Sequence, residues 1–244
     1  MKDGYKVVAS AAAIMVVALG LLYSGRSVNA ASTVQIAGSV KLDGIAPHAK
    51  PIDMSKEPSC AAFHKDKPAT TESVVTGPNG GLANVVVYIS QGLTGSEAPV
   101  SSQPVQLDQK GCQYVPHVVA VDAGQHVKIV NDDQTSHNIY PQATKNPPWN
   151  KSQPAGAQPL DVFWANEEIA IPVKCNVHPW MRAYIVVVKG PYGVSDDSGS
   201  FKLDNVPPGN YTLTAWHETY GTQTQNVTIA AGKPASVNFT FKAK

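Results

Sequence analysis

The run Lys174-Cys175-Asn176-Val177-His178-Pro179-Trp180-Met181-Arg182 sets a thiol, an imidazole and a thioether at intervals of three residues, between two apolar stretches. Thiolate and thioether are soft ligands that select copper, and imidazole suits it, whereas hard cations prefer oxygen. A copper site of the blue type needs a second imidazole, because two ring nitrogens and one sulfur make its trigonal plane while a thioether stands at a longer axial distance. His137, in Asn131-Asp132-Asp133-Gln134-Thr135-Ser136-His137-Asn138, follows the predicted strand Val127 to Asn131 by a short polar loop and can reach the same pole of a β-sandwich. Singly, each residue has a plainer use as a hydrogen-bonded imidazole, a buried thiol or a space-filling thioether. Together, His137, Cys175, His178 and Met181 predict one type 1 copper.

This pattern resembles the cupredoxin family, and most closely its amicyanin loop, in which Cys-x-x-His-Pro-aromatic-Met leads straight into a strand. The resemblance spans residues 105 to 189, with Trp180 where Phe is usual and a longer chain between His137 and Cys175. It implies that Asn138, just after the upstream His, ties the two ligand loops together by hydrogen bonds. It also implies that one edge of the His178 ring reaches the surface. Pro179 and Trp180 would then form an apolar collar at the electron exit, extended by Pro141 and Pro147-Pro148-Trp149, since exposed apolar patches mark interaction sites; the alternative is that Trp180 folds inward and closes the end of the sandwich. The expected role is to carry single electrons between redox proteins such as a cytochrome or a dehydrogenase, and not to act as an enzyme. Copper delivery or storage, and a cupredoxin-like interaction module without metal, are the alternatives.

The sequence has three cysteines. Cys175 belongs to the ligand pattern, which leaves Cys60 and Cys112 as a candidate disulfide of the kind that persists in oxidising compartments. Cys60 and His64 with Cys112 and His117 also have the ligand types of a second zinc or copper(I) site, but a disulfide is the plainer use of the two cysteines in an exported protein. No Gly-x-Ser-x-Gly, His-Glu-x-x-His or Gly-rich phosphate loop occurs.

The elements that must position these residues are short strands. Val34, Ile36, Val40 and Leu42 alternate with polar or small residues, and strands are expected at Leu82 to Ser90, Val115 to Val121, Val127 to Asn131, Ile169 to Lys174 and Ala183 to Lys189. Residues 47–80 and 141–159, rich in proline and polar residues, read as loops. Beyond them, Gly199 to Leu203 and Tyr211 to Trp216 flank Pro207-Pro208-Gly209 and read as a hairpin, followed by strands Gln223 to Ile229 and Ala235 to Phe241. This C-terminal part resembles the regulatory-like, transthyretin-type sandwich modules found beside carboxypeptidases.

The expected fold is therefore all-β: a cupredoxin-like Greek-key sandwich at residues 100–189, set between the halves (31–99 and 190–244) of a second small sandwich, with two consecutive domains or one fused sandwich as the alternative. Residues 1–30 carry Lys2 and Lys6 before an apolar run from Val7 to Tyr23 and the small residues Ser27-Val28-Asn29-Ala30, which predicts an export signal or, uncleaved, a membrane tether. A periplasmic or other extracytoplasmic location follows. With 19 Lys+Arg against 18 Asp+Glu, nothing in the charge balance points to nucleic acid.

Overall fold

The computed structural model describes residues 33–94 and 100–244, so the apolar N-terminal run lies outside the described residues. No described helix is long and apolar enough to cross a membrane. Two strands come first, β1 (Val34–Asp43) and β2 (Val86–Gln91), with the short helix α1 (Pro58–Phe63) between them. Then follow β3 (Val105–Lys110), β4 (Gln113–Val115), β5 (Val118–Asp122), β6 (Val127–Asn131), β7 (His137–Pro141), β8 (Lys151–Gln153), β9 (Leu160–Val162), β10 (Glu168–Lys174) and β11 (Arg182–Val188). The chain closes with β12 (Tyr192–Val194), β13 (Ser200–Val206), β14 (Gly209–His217), β15 (Gly221–Ile229) and β16 (Ala235–Lys242).

These strands make four sheets and two sandwiches. One sandwich pairs the sheet β13-β1-β16 with β12-β2-β14-β15, and the other pairs β5-β11-β10-β7-β8 with β4-β3-β6-β9. Alternation explains the first: Ile36, Val40 and Leu42 of β1 and Val237, Phe239 and Phe241 of β16 are buried while the residues between them face outward. The second is a Greek-key arrangement in which β5 lies parallel to β11 and β3 parallel to β6, around Leu107, Val119, Ile129, Ile139, Val173 and Ile185.

Three apolar runs do not alternate, and each belongs to a strand covered on both faces. Val87 and Ile89 of β2 point into the first sandwich, Val119 and Val121 of β5 and Ile185 and Val187 of β11 into the second. The intervening Val86, Tyr88, Val118, Ala120, Val186 and Val188 meet one another and Trp216 in a third apolar cluster that joins the sandwiches. A strand buried on two faces reads as a continuous apolar run, which is the form these segments take.

Four sequence expectations need correction. Residues 47–80 are not all loop, because Pro58 at the first turn starts α1, a position where its missing N–H costs nothing. Within 141–159, Lys151–Gln153 is a strand paired with His137–Ile139. The strands flanking Pro207-Pro208 do not form a hairpin. β13 pairs with β1 and β14 with β15 and β2, so the prolines, which have no N–H to place in a ladder, carry the chain from one sheet to the other. Finally, Met54, Cys60 and Ala69, within the 31–99 portion, pack into the core of the second sandwich, as a strap closed by an Ile52 N–H to Ala69 carbonyl bond of 2.9 Å.

Candidate metal centre

His137 opens β7, and the preceding turn is built by Asn131, which donates to the carbonyls of Thr135 and Gln153 (both 2.9 Å) and accepts from the Asp133 N–H. That turn aims the Asp133 carboxylate back at His137, whose Nε2 donates to Oδ2 at 2.8 Å. With its proton committed there, His137 keeps Nδ1 for the interior, the use of a hydrogen-bonded carboxylate that orients a metal-binding imidazole. The Gly111 and Cys112 N–H groups, each 2.7 Å from the carboxylate, complete its partners. Burial alone would push the Asp133 carboxyl up, but His137 and these two amides outweigh it and hold it below its ordinary value.

The remaining three residues come from the loop between β10 and β11, closed by bonds from the Met181 N–H to the His178 carbonyl (3.0 Å) and from the Cys175 N–H to the Met181 carbonyl (3.3 Å). His178 Nδ1 lies 2.9 Å from His137 Nδ1 and 3.9 Å from Cys175 Sγ. One ligand atom from each of His137, Cys175 and His178 falls within 4.8 Å of the others, and all three residues are buried. Met181, 1 % exposed, is buried on the same loop. Asn138 joins the two loops: its N–H donates to Cys175 Sγ at 3.5 Å and its Oδ1 accepts from the Asn176 N–H.

The protonation chemistry suits a soft cation. Burial raises the Cys175 thiol, yet His137 and the N–H groups of Asn138, His178 and Val177 bring it below its ordinary value, favouring thiolate. His178 is lowered by burial and by the neighbouring His137, favouring the neutral ring that ligates metals. His137, lowered by burial, is raised further by Asp133 and Cys175. Two ring nitrogens facing each other at 2.9 Å beside a sulfur need a cation between them, either a proton or a metal ion. The donor set of one thiolate and two imidazoles, with the Met181 thioether on the same loop, fits copper.

The structure departs from the family resemblance at the His178 edge. His178 is 1 % exposed, and its Nε2 lies 3.6 Å from Sγ of Cys60, which is disulfide-bonded to Cys112 with the Cα atoms 5.6 Å apart. Helix α1 and the disulfide therefore cover the edge that was expected to be open. Pro179 is exposed, but Trp180 is not a free collar: it is half-buried, lies tilted against His178 with ring centroids 5.2 Å apart, and donates from Nε1 to the Cys112 carbonyl at 3.0 Å. Pro141 is buried, and Trp149 stacks on Trp164.

Cys60, His64, Cys112 and His117 are not brought together as a second site. The cysteines bond to each other, His64 Nε2 bonds the Gly111 carbonyl at 2.7 Å, and His117 sits elsewhere, between the Arg182 carbonyl (3.1 Å) and the Glu218 carboxylate. Sequence reasoning missed this last group. Glu72 also approaches His117, at 3.8 Å, and the three line a cavity of about 210 Å³ with Ile52, Trp180 and Met181. No local spacing could have signalled it, since its members come from the strap, the start of β5 and the end of β14.

A family model, the carboxypeptidase regulatory-like domain, matches residues 179–242. No curated protein matches the chain. Among solved structures it is similar to a Cu-containing nitrite reductase from Thermus scotoductus SA-01 (18% identity, TM-score 0.33, 41% of this chain and 26% of that one). It is also similar to amicyanin from Paracoccus versutus (17% identity, TM-score 0.32, 42% and 97%). A purple cupredoxin from Nitrosopumilus maritimus is a third (19% identity, TM-score 0.30, 34% and 99%). The chain thus spans about a quarter of the nitrite reductase it resembles. The expectation that the chain is not an enzyme does not stand, since a Cu-containing nitrite reductase is among the similar structures; that likeness covers 26% of the reductase and is no positive evidence of catalysis either.

Proposed function

We propose that the chain is an exported type 1 copper protein that holds one copper through His137, Cys175, His178 and Met181 and passes single electrons to and from a redox protein such as a cytochrome or a dehydrogenase. The observation that carries this reading is the convergence of His137 Nδ1, His178 Nδ1 and Cys175 Sγ in a buried pole, with the other nitrogen of His137 occupied by Asp133. Copper would supply a one-electron change between its two oxidation states. The chain's own residues do the rest. Asp133 fixes one ring, the Asn138 and His178 N–H groups fix the sulfur at 3.5 and 3.4 Å, and the surrounding core excludes water. Ligands held this firmly move little when the metal changes charge, which is what fast electron exchange requires.

Because the His178 edge is covered, Trp180 offers the short way out: its ring neighbours His178 and it is half-buried. Absorption and electron paramagnetic resonance spectra of the copper-loaded protein test the reading. An intense thiolate-to-copper band that disappears in Cys175→Ser is expected. A colourless copper protein, or a Cys175→Ser variant that keeps the band, would overturn it.

A further inference from the structure

The far side of the His178 ring is as crowded with soft donors as the near side. Nε2 faces Cys60 Sγ at 3.6 Å, and the donor atoms of Cys60, Cys112 and His178 lie within 4.8 Å of one another, all buried. Each sulfur is also placed by contacts other than the bond between them. Cys60 sits on α1 in the core of the second sandwich. Cys112 forms, with Gly111, the two-residue tip joining β3 to β4, where Lys110 pairs with Gln113. Its φ of 54° lies in a left-handed region that residues with a Cβ rarely adopt. The tip is held there by Asp133, which accepts both of its N–H groups, and by Trp180, which donates to the Cys112 carbonyl.

We propose that Cys60, Cys112 and Nε2 of His178 form a second metal site, available only when the disulfide is reduced, that takes copper(I). A dithiol reductant supplies the two electrons and two protons that break the S–S bond, closing to its own cyclic disulfide, and leaves two thiols. Copper(I) then displaces the two thiol protons to solvent, and a lone pair of the imidazole completes a trigonal set. Structural zinc asks for four donors, and Asp133, the carboxylate that clusters with Cys112, is already committed to Gly111, Cys112 and His137. Two thiolates and an imidazole in a buried setting instead suit the soft monovalent ion. The ring is shared with the centre proposed above. When Nδ1 is also metal-bound, it gives up its remaining proton and bridges the two. The new site would thus read the thiol–disulfide state of its surroundings at the ligand nearest the electron exit.

Anaerobic titration of the full chain with copper(I) against bathocuproine disulfonate counts the sites before and after reduction by a dithiol that is then removed. One site in the oxidised chain and two in the reduced chain are expected, with Cys60→Ser/Cys112→Ser showing one under both conditions. A reduced wild-type chain that gains no site, or a double variant that gains one, overturns the proposal. If the first centre binds no copper, the counts become none and one, so failure of that reading shows separately from failure of this one. Should the double variant not fold, histidine nitrogen NMR of the reduced wild type decides. The added equivalent must shift the His178 Nε2 resonance, and an unmoved resonance overturns the site.

Discussion

Asp133 and His137 share a hydrogen bond of 2.8 Å in which neither side chain is more than 1 % exposed. The carboxylate gives His137 its tautomer, and through the Gly111 and Cys112 amides it also ties that imidazole to the disulfide. Asp133→Asn keeps the shape but turns an acceptor into a partial donor facing two N–H groups and a ring N–H. Copper affinity is expected to fall about 10- to 100-fold, as for other groups that orient metal-binding imidazoles. Chelator competition measures it, and an unchanged affinity would remove Asp133 from the site.

Trp180 bears on stability as well as on the proposed route of the electron. Trp180→Phe loses the bond to the Cys112 carbonyl and should cost about 1 kcal/mol. Trp180→Ala also removes packing against the core and should cost about 2 to 4 kcal/mol, somewhat less than truncation of a fully buried aromatic. Urea unfolding of the metal-free protein gives both values. Electron transfer from the folded, loaded variants should slow in the same order, and if the alanine variant transfers at the wild-type rate, the exit lies elsewhere.

His117 gives the fold a pH dependence whose sign is fixed by its partners. Burial lowers its affinity for a proton, but Glu218, with Glu72 and the Arg182 carbonyl, more than reverses this, so the folded state binds the proton more tightly than the unfolded chain. A raised histidine contributes stability that is complete below the unfolded value of about 6.5 and is lost as the pH climbs through the folded value. Glu218→Gln should therefore destabilise more at pH 6 than at pH 9. Denaturation midpoints at the two pH values provide the comparison, and an equal loss at both would show that the pair is a neutral hydrogen bond.

The loop of the candidate metal centre was legible in the sequence, because Cys175, His178 and Met181 follow one another at intervals of three residues, and the structure brings Cys175 and His178 to His137. Strands with one open face, such as β1 and β16, were legible for the same local reason. What escaped the reading depends on contacts between distant segments. The continuous runs at Val85–Ile89 and Val118–Val121 show burial on two faces but not what covers the second face. Pro207-Pro208 shows a change of direction but not a change of sheet. The covering of His178 was hidden because the strap containing Cys60 lies 118 residues away from it in the chain. The disulfide was legible as the plainer use of two cysteines in an exported chain, and the Cys60–Cys112 bond agrees with it.

The parallel pairing of β1 with β16 has a mechanical consequence. Eight register pairs, from Ile36↔Ala235 to Asp43↔Lys242, connect the first described strand directly to the last. Tension applied at residues 33 and 244 would load these bonds in shear, so that they must fail together and not one after another. The nine strands from β3 to β11, with the candidate metal centre among them, lie outside that line of force. Pulled from its two ends, the molecule should yield first at β1 and β16, and only afterwards lengthen by the chain stored in the second sandwich. A force–extension trace in which the second sandwich opens first would contradict this order.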